Sequence, residues 1–271
     1  FRSIGPDGAG KTTLFRILTT LLSAESGEAR VDGLDVVNDY KAIRQRVGYM
    51  PGKFSLYQDL SVEENLAFFA TLFNTSVNEN YDLVKDIYSQ IEKFKTRKAG
   101  ALSGGMKQKL ALSCALIHRP SVLFLDEPTT GVDAVSRKEF WDLLHDLQKQ
   151  GITIVVSTPY MDEAGQCDRV AIIQSGRILA VDTPVGITKS FGNPLWSVRS
   201  SDMYRLMKDI QELGIARSCF PFGQVHHVVW ADGTDARENE NTLRRRHSGL
   251  VVEPIEATIE DCFMDRMGQA S

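Results

Sequence analysis

A glycine-rich segment close to the start of the chain, residues 5–13, constrains the fold more than any other feature. It reads Gly-Pro-Asp-Gly-Ala-Gly-Lys-Thr-Thr and completes the pattern G-x-x-x-x-G-K-T. The residues up to Ile4 are typical of the end of a strand, and those from Thr13 onward have helical apolar periodicity. A strand before the glycines and a helix after them distinguish a phosphate-binding loop from an ordinary glycine-rich turn. The segment therefore predicts a binding site for a nucleoside triphosphate.

Each residue type in this loop has a physical role. The glycines let backbone N–H groups surround a polyphosphate without a Cβ in the way, and the start of the next helix adds partial positive charge. Lys11 would reach the β- and γ-phosphates, and the Thr12 hydroxyl would ligate Mg²⁺. The residues expected to bind the nucleotide are Asp7, Gly8, Ala9, Gly10, Lys11, Thr12 and Thr13.

Composition narrows the class of protein. Of the 271 residues, 42% are hydrophobic and 24% are charged. A chain of this length and hydrophobic fraction can bury a full core, so it needs no disulfide or structural metal. A net charge of −4 gives no electrostatic footprint for nucleic acid, so we expect no nucleic-acid partner. The four cysteines lie far apart without a C-x-x-C pair, which is typical of reduced thiols in a cytosol. The longest apolar runs are of strand length and too short to span a bilayer.

The order of the segments predicts an α/β fold, a parallel sheet covered by helices. Strands that are apolar throughout, such as 122–125, or nearly so, such as 152–156, alternate with helical segments. Ligands on such sheets lie at the carboxyl ends of the strands, where both the glycine loop and Asp126-Glu127 fall. Between them, Ser61 and Glu64 form a capping-box pattern that opens a helix, and we expect a helical subdomain at about 60–119.

The predicted pattern of strands and helices changes after Thr183-Pro184. The elements that follow are expected in the order βαββαβ and then α, which suits a small α+β domain of the ferredoxin-like type. We therefore predict two domains, residues 1–185 and 186–271. Because the chain lacks an initiator Met and opens inside a strand, we expect it to be a fragment whose N-terminal strands are missing.

Three motifs stand in a fixed order: the glycine loop, Leu-Ser-Gly-Gly-Met at 102–106, and Leu-Phe-Leu-Asp-Glu-Pro-Thr-Thr-Gly-Val-Asp at 123–133. Over residues 1–185 the chain thereby resembles the nucleotide-binding subunit of an ATP-binding cassette (ABC) transporter, a P-loop ATPase. Tyr-Met-Pro at 49–51 and Ser-Thr-Pro-Tyr-Met-Asp-Glu-Ala at 157–164 lean towards exporters of the drug, polysaccharide or antibiotic-efflux type. The resemblance implies ATP and Mg²⁺ as cofactors.

The resemblance also implies a role for each motif. Asp126 would hold Mg²⁺ directly or through water, and Glu127 would be the general base for the attacking water. In this family two cassettes pair head to tail around two ATPs, so one subunit's signature contacts its partner's ATP. The signature residues are Ser103, Gly104, Gly105 and Met106. Asp133 would lie at the dimer interface.

The family's other partner is an integral membrane permease. The stretch 56–72, expected to be helical, would meet the cytoplasmic loops of that permease. The subunit would then be peripheral on the cytoplasmic face of the membrane.

Two positions depart from the family pattern. Gly52 stands where the family usually has a glutamine that touches Mg²⁺ and the attacking water, and Pro159 stands where it has a histidine that contacts the γ-phosphate. We therefore hypothesise a degenerate site that binds MgATP and hydrolyses it slowly or not at all. Its signature would complete the site of a non-identical partner, as in the first cassette of tandem or paired exporter ATPases.

Three alternatives stay open at this stage. Glu127 alone could suffice for hydrolysis despite Gly52 and Pro159. The chain could be a soluble ABC protein that acts on ribosomes or DNA, although no basic surface or long inserted arm is visible. It could also be a non-catalytic regulatory module in which ATP only holds a dimer together.

Overall fold

The computed structural model describes residues 2–269, which separate into two compact units between Thr183 and Pro184. The predicted domain boundary lies two residues further along the chain. Each unit is described by itself below. Within the described residues, no helix combines the length and apolar character needed to cross a bilayer.

The first unit is built on a six-stranded sheet with the order β4-β5-β6-β1-β7-β8. All neighbouring strands run parallel except β8, which pairs antiparallel with β7 at one edge. Its strands are β1 (Arg2–Ile4), β4 (Val47–Met50), β5 (Val122–Asp126), β6 (Thr153–Thr158), β7 (Val170–Gln174) and β8 (Arg177–Asp182). A separate antiparallel hairpin consists of β2 (Arg30–Val31) and β3 (Leu34–Asp35).

Strand β5 explains why the sheet is covered on both faces. All five of its residues are buried, and successive side chains point to opposite faces. Val122 and Phe124 pack with Phe15 and Ile43 in one core cluster, whereas Leu123 and Leu125 belong to a second, larger cluster. An apolar strand of this kind requires helices on both sides, which is the architecture predicted from the sequence.

The helices of the first unit come in two groups. A helical segment of three helices lies between β4 and β5, within the predicted 60–119 region. It contains α3 (Val62–Leu72), α4 (Tyr81–Glu92) and α5 (Gly104–Leu116). The others are α1 (Lys11–Leu18), α2 (Tyr40–Arg46) and α6 (Ala134–Lys149). Single 3₁₀ turns occupy 99–101 and 162–166.

The predicted capping box at the start of α3 is present. The Ser61 Oγ accepts a hydrogen bond from the Glu64 amide at 3.2 Å, and the Glu64 carboxylate accepts one from the Ser61 amide at 2.7 Å. Two backbone donors that have no helical partner are thereby satisfied. The two bonds fix where α3 begins, directly after an irregular stretch.

Replacing Ser61 with alanine is expected to lower the free energy of unfolding by about 1 kcal/mol, because the Glu64 amide loses its acceptor at a position that is largely buried. Urea denaturation followed by circular dichroism measures the shift. Ser89→Ala, an exposed position within α4, is the control and should leave the midpoint in place or raise it slightly. An equal response of the two variants would contradict a specific role of the cap.

Several boundaries differ from the sequence predictions. Helix α1 begins at Lys11 rather than Thr13, because Gly10 adopts a left-handed conformation with φ of 99° and lets the helix start inside the loop. The stretch 56–72 is helical only from Val62, where the capping box starts α3. Helix α2 and strand β8 were not predicted, since α2 is short and polar and β8 is half exposed at the sheet edge.

The second unit begins with α7 (Pro184–Lys189), which was also not predicted, and continues in the order βαββαβα. Its sheet has the order β10-β11-β9-β12 with every pair antiparallel, which is the ferredoxin-like arrangement expected from the sequence. Its strands are β9 (Leu195–Arg199), β10 (Ala216–Phe222), β11 (Val225–Trp230) and β12 (Val251–Ile255). Its further helices are α8 (Met203–Leu213), α9 (Ala236–Arg244) and α10 (Ile259–Gln269).

Candidate nucleotide-binding site

The glycine loop forms a cavity of about 160 Å³ at the carboxyl end of β1. It is lined by residues 8–13 and by Glu127. Gly8 and Gly10 have φ values of 77° and 99°, which residues with a Cβ adopt only under strain. The loop is tied to the turn between β7 and β8, because the Gly176 amide donates a hydrogen bond to the Ala9 carbonyl at 2.9 Å.

Lys11 provides the positive charge of this cavity although its side chain is only 4% exposed. Its Nζ donates to the Gly5 carbonyl at 2.8 Å and to the Pro6 carbonyl at 3.0 Å, and it lies 3.5 Å from the Glu127 carboxylate. A buried ammonium beside the first amides of α1 forms an anion-binding donor set. The residues present thus fit the phosphates of a nucleotide.

Oxygen donors suited to Mg²⁺ flank the same loop. Thr12 lines the cavity, and Asp126 ends β5 with only 2% of its surface exposed. An Asp126 carboxylate oxygen accepts a hydrogen bond from the hydroxyl of Ser157 at the end of β6. Carboxylate and hydroxyl oxygens are the ligands that Mg²⁺ prefers, so this donor set fits that cation. These two residues would hold it.

Glu127 has an unusual backbone conformation. Its φ is 50°, in the left-handed region that side chains other than glycine rarely adopt. The Glu127 amide donates to both the carbonyl and the hydroxyl oxygen of Ser157, at 3.0 and 3.1 Å. Such strain is typical of functional sites, where surrounding contacts hold it in place. It directs the carboxylate into the cavity beside Lys11.

Ser157 has a role in this site that the sequence analysis missed. It is fully buried and contacts the carboxylate of Asp126 as well as the amide of Glu127. A polar pair, Ser157-Thr158, directly after the apolar run 154–156 was the available signal. The residues had been noted only for their resemblance to a family motif.

The two departures from the family pattern lie on the loops around these carboxylates. A Cβ built on Gly52 would lie 3.1 Å from the Asp126 carbonyl oxygen and 3.6 Å from the Glu127 Cβ. Pro159 directly follows β6, two residues after Ser157. Neither residue carries a side-chain hydrogen-bond donor or acceptor. The Asp126 carbonyl lies close to Gly52, so a larger residue at position 52 would require that carbonyl to shift.

The five histidines do not replace the missing one. Each described imidazole contacts another part of the chain: His118 contacts Val47, His145 contacts Gln166, His226 contacts Met203, His227 contacts Asp261, and His247 contacts Asp209. Residues 8–13 and Glu127, which line the glycine-loop cavity, include no histidine. Gln58, the glutamine that follows Gly52 most closely in sequence, packs against Gly100 and does not line the cavity either.

The signature residues lie outside the cavity formed by the glycine loop. Ser103 caps α5 and accepts a hydrogen bond from the Met106 amide at 3.4 Å. A Cβ on Gly105 would lie 3.1 Å from the Ser136 Oγ, so the starts of α5 and α6 are neighbours. Helix α5 begins at Gly104, and the first turn of this helix contains no acidic residue that would repel an anion.

Asp133 caps the neighbouring helix α6. Its Oδ1 accepts hydrogen bonds from the Ser136 and Val135 amides, at 3.0 and 3.1 Å. The bond from the Ser136 amide is the main reason why the pKa of this exposed carboxyl lies below its usual range. Asp133 and Ser103 thus each cap one of two adjacent helix starts.

Comparison with known proteins gives the family. The sequence profile of the ABC transporter family matches residues 3–130. The daunorubicin resistance ATP-binding protein DrrA2 of Streptomyces coeruleorubidus is 38% identical over 277 residues, covering 98% of this chain and 85% of that protein. The chain belongs to the family of ABC transporter ATP-binding proteins. This confirms the resemblance, the P-loop fold class and the exporter-type relatives expected from the sequence.

Two further similarities define the extent of the match. The probable multidrug ABC transporter ATP-binding protein YbhF of Escherichia coli is 44% identical over 189 residues, covering 69% of this chain. The chain spans about a third (33%) of the length of that relative. A solved ATP-binding cassette, MJ0796, described as a dimer in a post-hydrolysis state with ADP and Pi, superposes with a TM-score of 0.60 at 26% identity. This superposition covers 68% of this chain and 84% of that one.

Membership of the family confirms two predictions about chemistry. The predicted enzyme class, an ABC ATPase, is the class of the family to which the chain belongs. The predicted cofactors, ATP and Mg²⁺, are those of the same family, and the ADP and Pi of the MJ0796 structure are the products of ATP hydrolysis.

Proposed function

We propose that the chain is the ATP-binding cassette of an ABC exporter and binds MgATP in the cavity of the glycine loop. The observation that supports this most strongly is the convergence of Lys11, the amides at the start of α1 and Glu127 on one cavity. Lys11 and the backbone amides would bind the phosphates. Asp126 and Thr12 would hold Mg²⁺, which when bound neutralises phosphate charge. Glu127 would orient and deprotonate the attacking water.

We further propose that this site hydrolyses ATP slowly. The loss of one well-placed donor to developing charge typically costs about 3 kcal/mol of transition-state stabilisation. Gly52 and Pro159 remove two side chains of that kind beside Asp126 and Glu127. Binding depends instead on Lys11 and the loop amides, which are intact. Tight binding with slow turnover is the combination that these residues favour.

Dimerisation with a second, non-identical cassette is part of the proposal. The signature residues lie apart from the cavity formed by their own chain, at the exposed start of α5, next to Asp133. A second cassette would use them to complete its own nucleotide site. The dimeric arrangement described for MJ0796 supports this reading. A partner with an intact glutamine and histidine would then perform most of the hydrolysis.

A groove in the first unit supports a membrane permease as the other partner. It has a volume of about 640 Å³ and lies between the sheet and the helical segment. Apolar side chains dominate its lining: Met50, Leu56, Phe69, Leu72 and Phe73. Leu72 is 60% exposed, so part of this apolar lining is open to a partner. A cytoplasmic segment of a permease would bind here and place the subunit peripherally on the membrane's cytoplasmic face.

The experiment that tests the proposed function compares the wild type with Glu127→Gln for MgATP affinity and steady-state phosphate release. The carboxylate of Glu127 lies 3.5 Å from the Lys11 Nζ and competes with phosphate for that charge. Glu127→Gln is therefore expected to bind MgATP about 10-fold more tightly, which corresponds to about 1.4 kcal/mol. Phosphate release should be slow in both proteins.

The outcomes distinguish the alternatives. Rapid wild-type turnover that Glu127→Gln abolishes would mean that Gly52 and Pro159 are tolerated, and the proposal of slow hydrolysis would be wrong. Absence of MgATP binding by the wild type would contradict the proposed function as a whole. Glu28→Gln, at an exposed acidic position outside the cavity, serves as a charge-matched control for affinity.

A further inference from the structure

The turn after β6 contains a buried carboxylate, Glu163, to which the proposed function gives no role. Its side chain is 4% exposed, although a charged group is rarely buried without compensating partners. Its Oε1 accepts a hydrogen bond from the Thr129 hydroxyl at 2.9 Å, and its Oε2 accepts one from the Thr158 hydroxyl at 3.0 Å. One carboxylate thus joins two segments that are distant in sequence.

Both threonines are next to the residues that would handle Mg²⁺ and water. Thr129 follows Glu127 with only Pro128 between them, on the loop after β5. Thr158 directly follows Ser157, which contacts the Asp126 carboxylate and the Glu127 amide. Glu163 therefore links the loop that contains the strained residue Glu127 to the end of β6. Positive φ at a residue with a side chain persists only where surrounding contacts enforce it.

A cation on α6 completes the arrangement. The Arg137 Nε lies 3.7 Å from the Glu163 Oε1, and the Arg137 guanidinium lies 4.4 Å from the centre of the Tyr160 ring. The Tyr160 amide in turn donates to the Thr158 hydroxyl at 3.1 Å. The charge of the buried carboxylate is thereby balanced, and the turn that contains Pro159 is fixed to a helix.

We propose that Glu163 is a positioning residue for Asp126 and Glu127. It acts through the hydrogen bonds that it accepts from the two threonine hydroxyls. Pro159 has no donor, so these hydroxyl bonds supplement the pairing of β5 with β6 in fixing the end of β6 near the catalytic carboxylates. The inference rests on the proposed function where it concerns MgATP. The positioning itself is testable without nucleotide.

The first test is hydrogen exchange in the nucleotide-free protein. In Glu163→Ala, segments 123–132 and 157–166 are expected to exchange about 10-fold faster, because local opening no longer breaks the two hydroxyl bonds. Helix α4 and the second unit serve as internal references and should keep their rates. Unchanged exchange in the two segments, or an equal increase throughout the first unit, would overturn the proposal.

Conservative variants separate positioning from general stability. The exchange rates of Glu163→Gln are expected to stay within about twofold of the wild type. Its side-chain amide can accept a hydrogen bond from one hydroxyl and donate one to the other. Asp162→Ala is the matched control: that carboxylate lies in the same turn and 3.9 Å from Arg137, but is 75% exposed. Should Glu163→Ala fail to fold, Thr129→Val removes one of the two bonds with little change of shape and must accelerate the same segments.

The second test concerns the metal-dependent part of nucleotide binding. Calorimetric titration with ATP in excess Mg²⁺ is compared with titration in excess chelator. Glu163→Ala should weaken MgATP binding about 10-fold and leave metal-free ATP within about twofold, because Lys11 and the loop amides are untouched. Equal weakening of both would contradict the positioning role. If the wild type binds neither, the proposed function fails, whereas the exchange experiment still decides the role of Glu163.

Discussion

Replacing Lys11 with methionine is expected to weaken MgATP binding about 100-fold, or about 2.7 kcal/mol. The ammonium is almost fully buried at the centre of the glycine-loop cavity, and the neighbouring Glu127 carboxylate would lose its positive partner. Phosphate oxygens would then approach an uncompensated negative charge. Isothermal titration calorimetry of both proteins measures the change.

Lys109→Met is the matched control for this experiment. Lys109 is also largely buried, with 13% exposure, and pairs with Glu139 at 2.8 Å on the neighbouring helix. Its loss should leave the affinity for MgATP within about twofold of the wild type. Like Lys11→Met, it removes a paired lysine and so lowers the free energy of unfolding. A Lys11→Met variant that binds MgATP as tightly as the wild type would disprove the assignment of the site.

The second large effect is expected from restoring the two missing side chains. The double variant Gly52→Gln and Pro159→His should raise steady-state phosphate release about 100-fold, because each residue returns a polar group beside the catalytic carboxylates. Gly52→Gln alone should raise the rate of phosphate release less, because it returns only one of the two polar groups. Its Cβ would also lie 3.1 Å from the Asp126 carbonyl oxygen, so that the backbone there must shift. A coupled assay of inorganic phosphate measures the rates.

Pro159→Ala tests whether the gain comes from the imidazole. It relieves the ring constraint and restores the backbone N–H just as histidine does but supplies no side-chain donor, so turnover should stay at the wild-type level. If the wild type already hydrolyses ATP as fast as the double variant, the hypothesis of a degenerate site is wrong. An increase with Pro159→Ala would assign the effect to backbone freedom instead.

Local sequence patterns were sufficient where the structure depends on neighbouring residues. The capping box at Ser61 determines the start of α3, and local apolar patterns were enough to predict the order of the elements β9, α8 and β10. The glycine loop was recognisable for the same reason. Its strand, its glycines and its lysine all lie within a dozen residues of sequence.

The contacts that hold the catalytic carboxylates could not be predicted in this way. Ser157 reaches Asp126 across 31 residues of sequence, and Glu163 reaches Thr129 across 34. Only the parallel pairing of β5 with β6 brings these side chains together. Helix α2 was missed for a different reason, because its single buried residue, Ile43, leaves no periodic pattern.

The position of β1 within the sheet has a consequence for the synthesis of the chain. The strand that leads into the glycine loop pairs with β6 on one side and β7 on the other, and those strands lie about 150 and 170 residues further along. Contacts of such long sequence separation make folding slow, and chains fold as domains while they emerge from the ribosome. Strand β1 must therefore wait for two strands of its unit that are translated much later. Nucleotide can act as a folding ligand only after most of the cassette has been made.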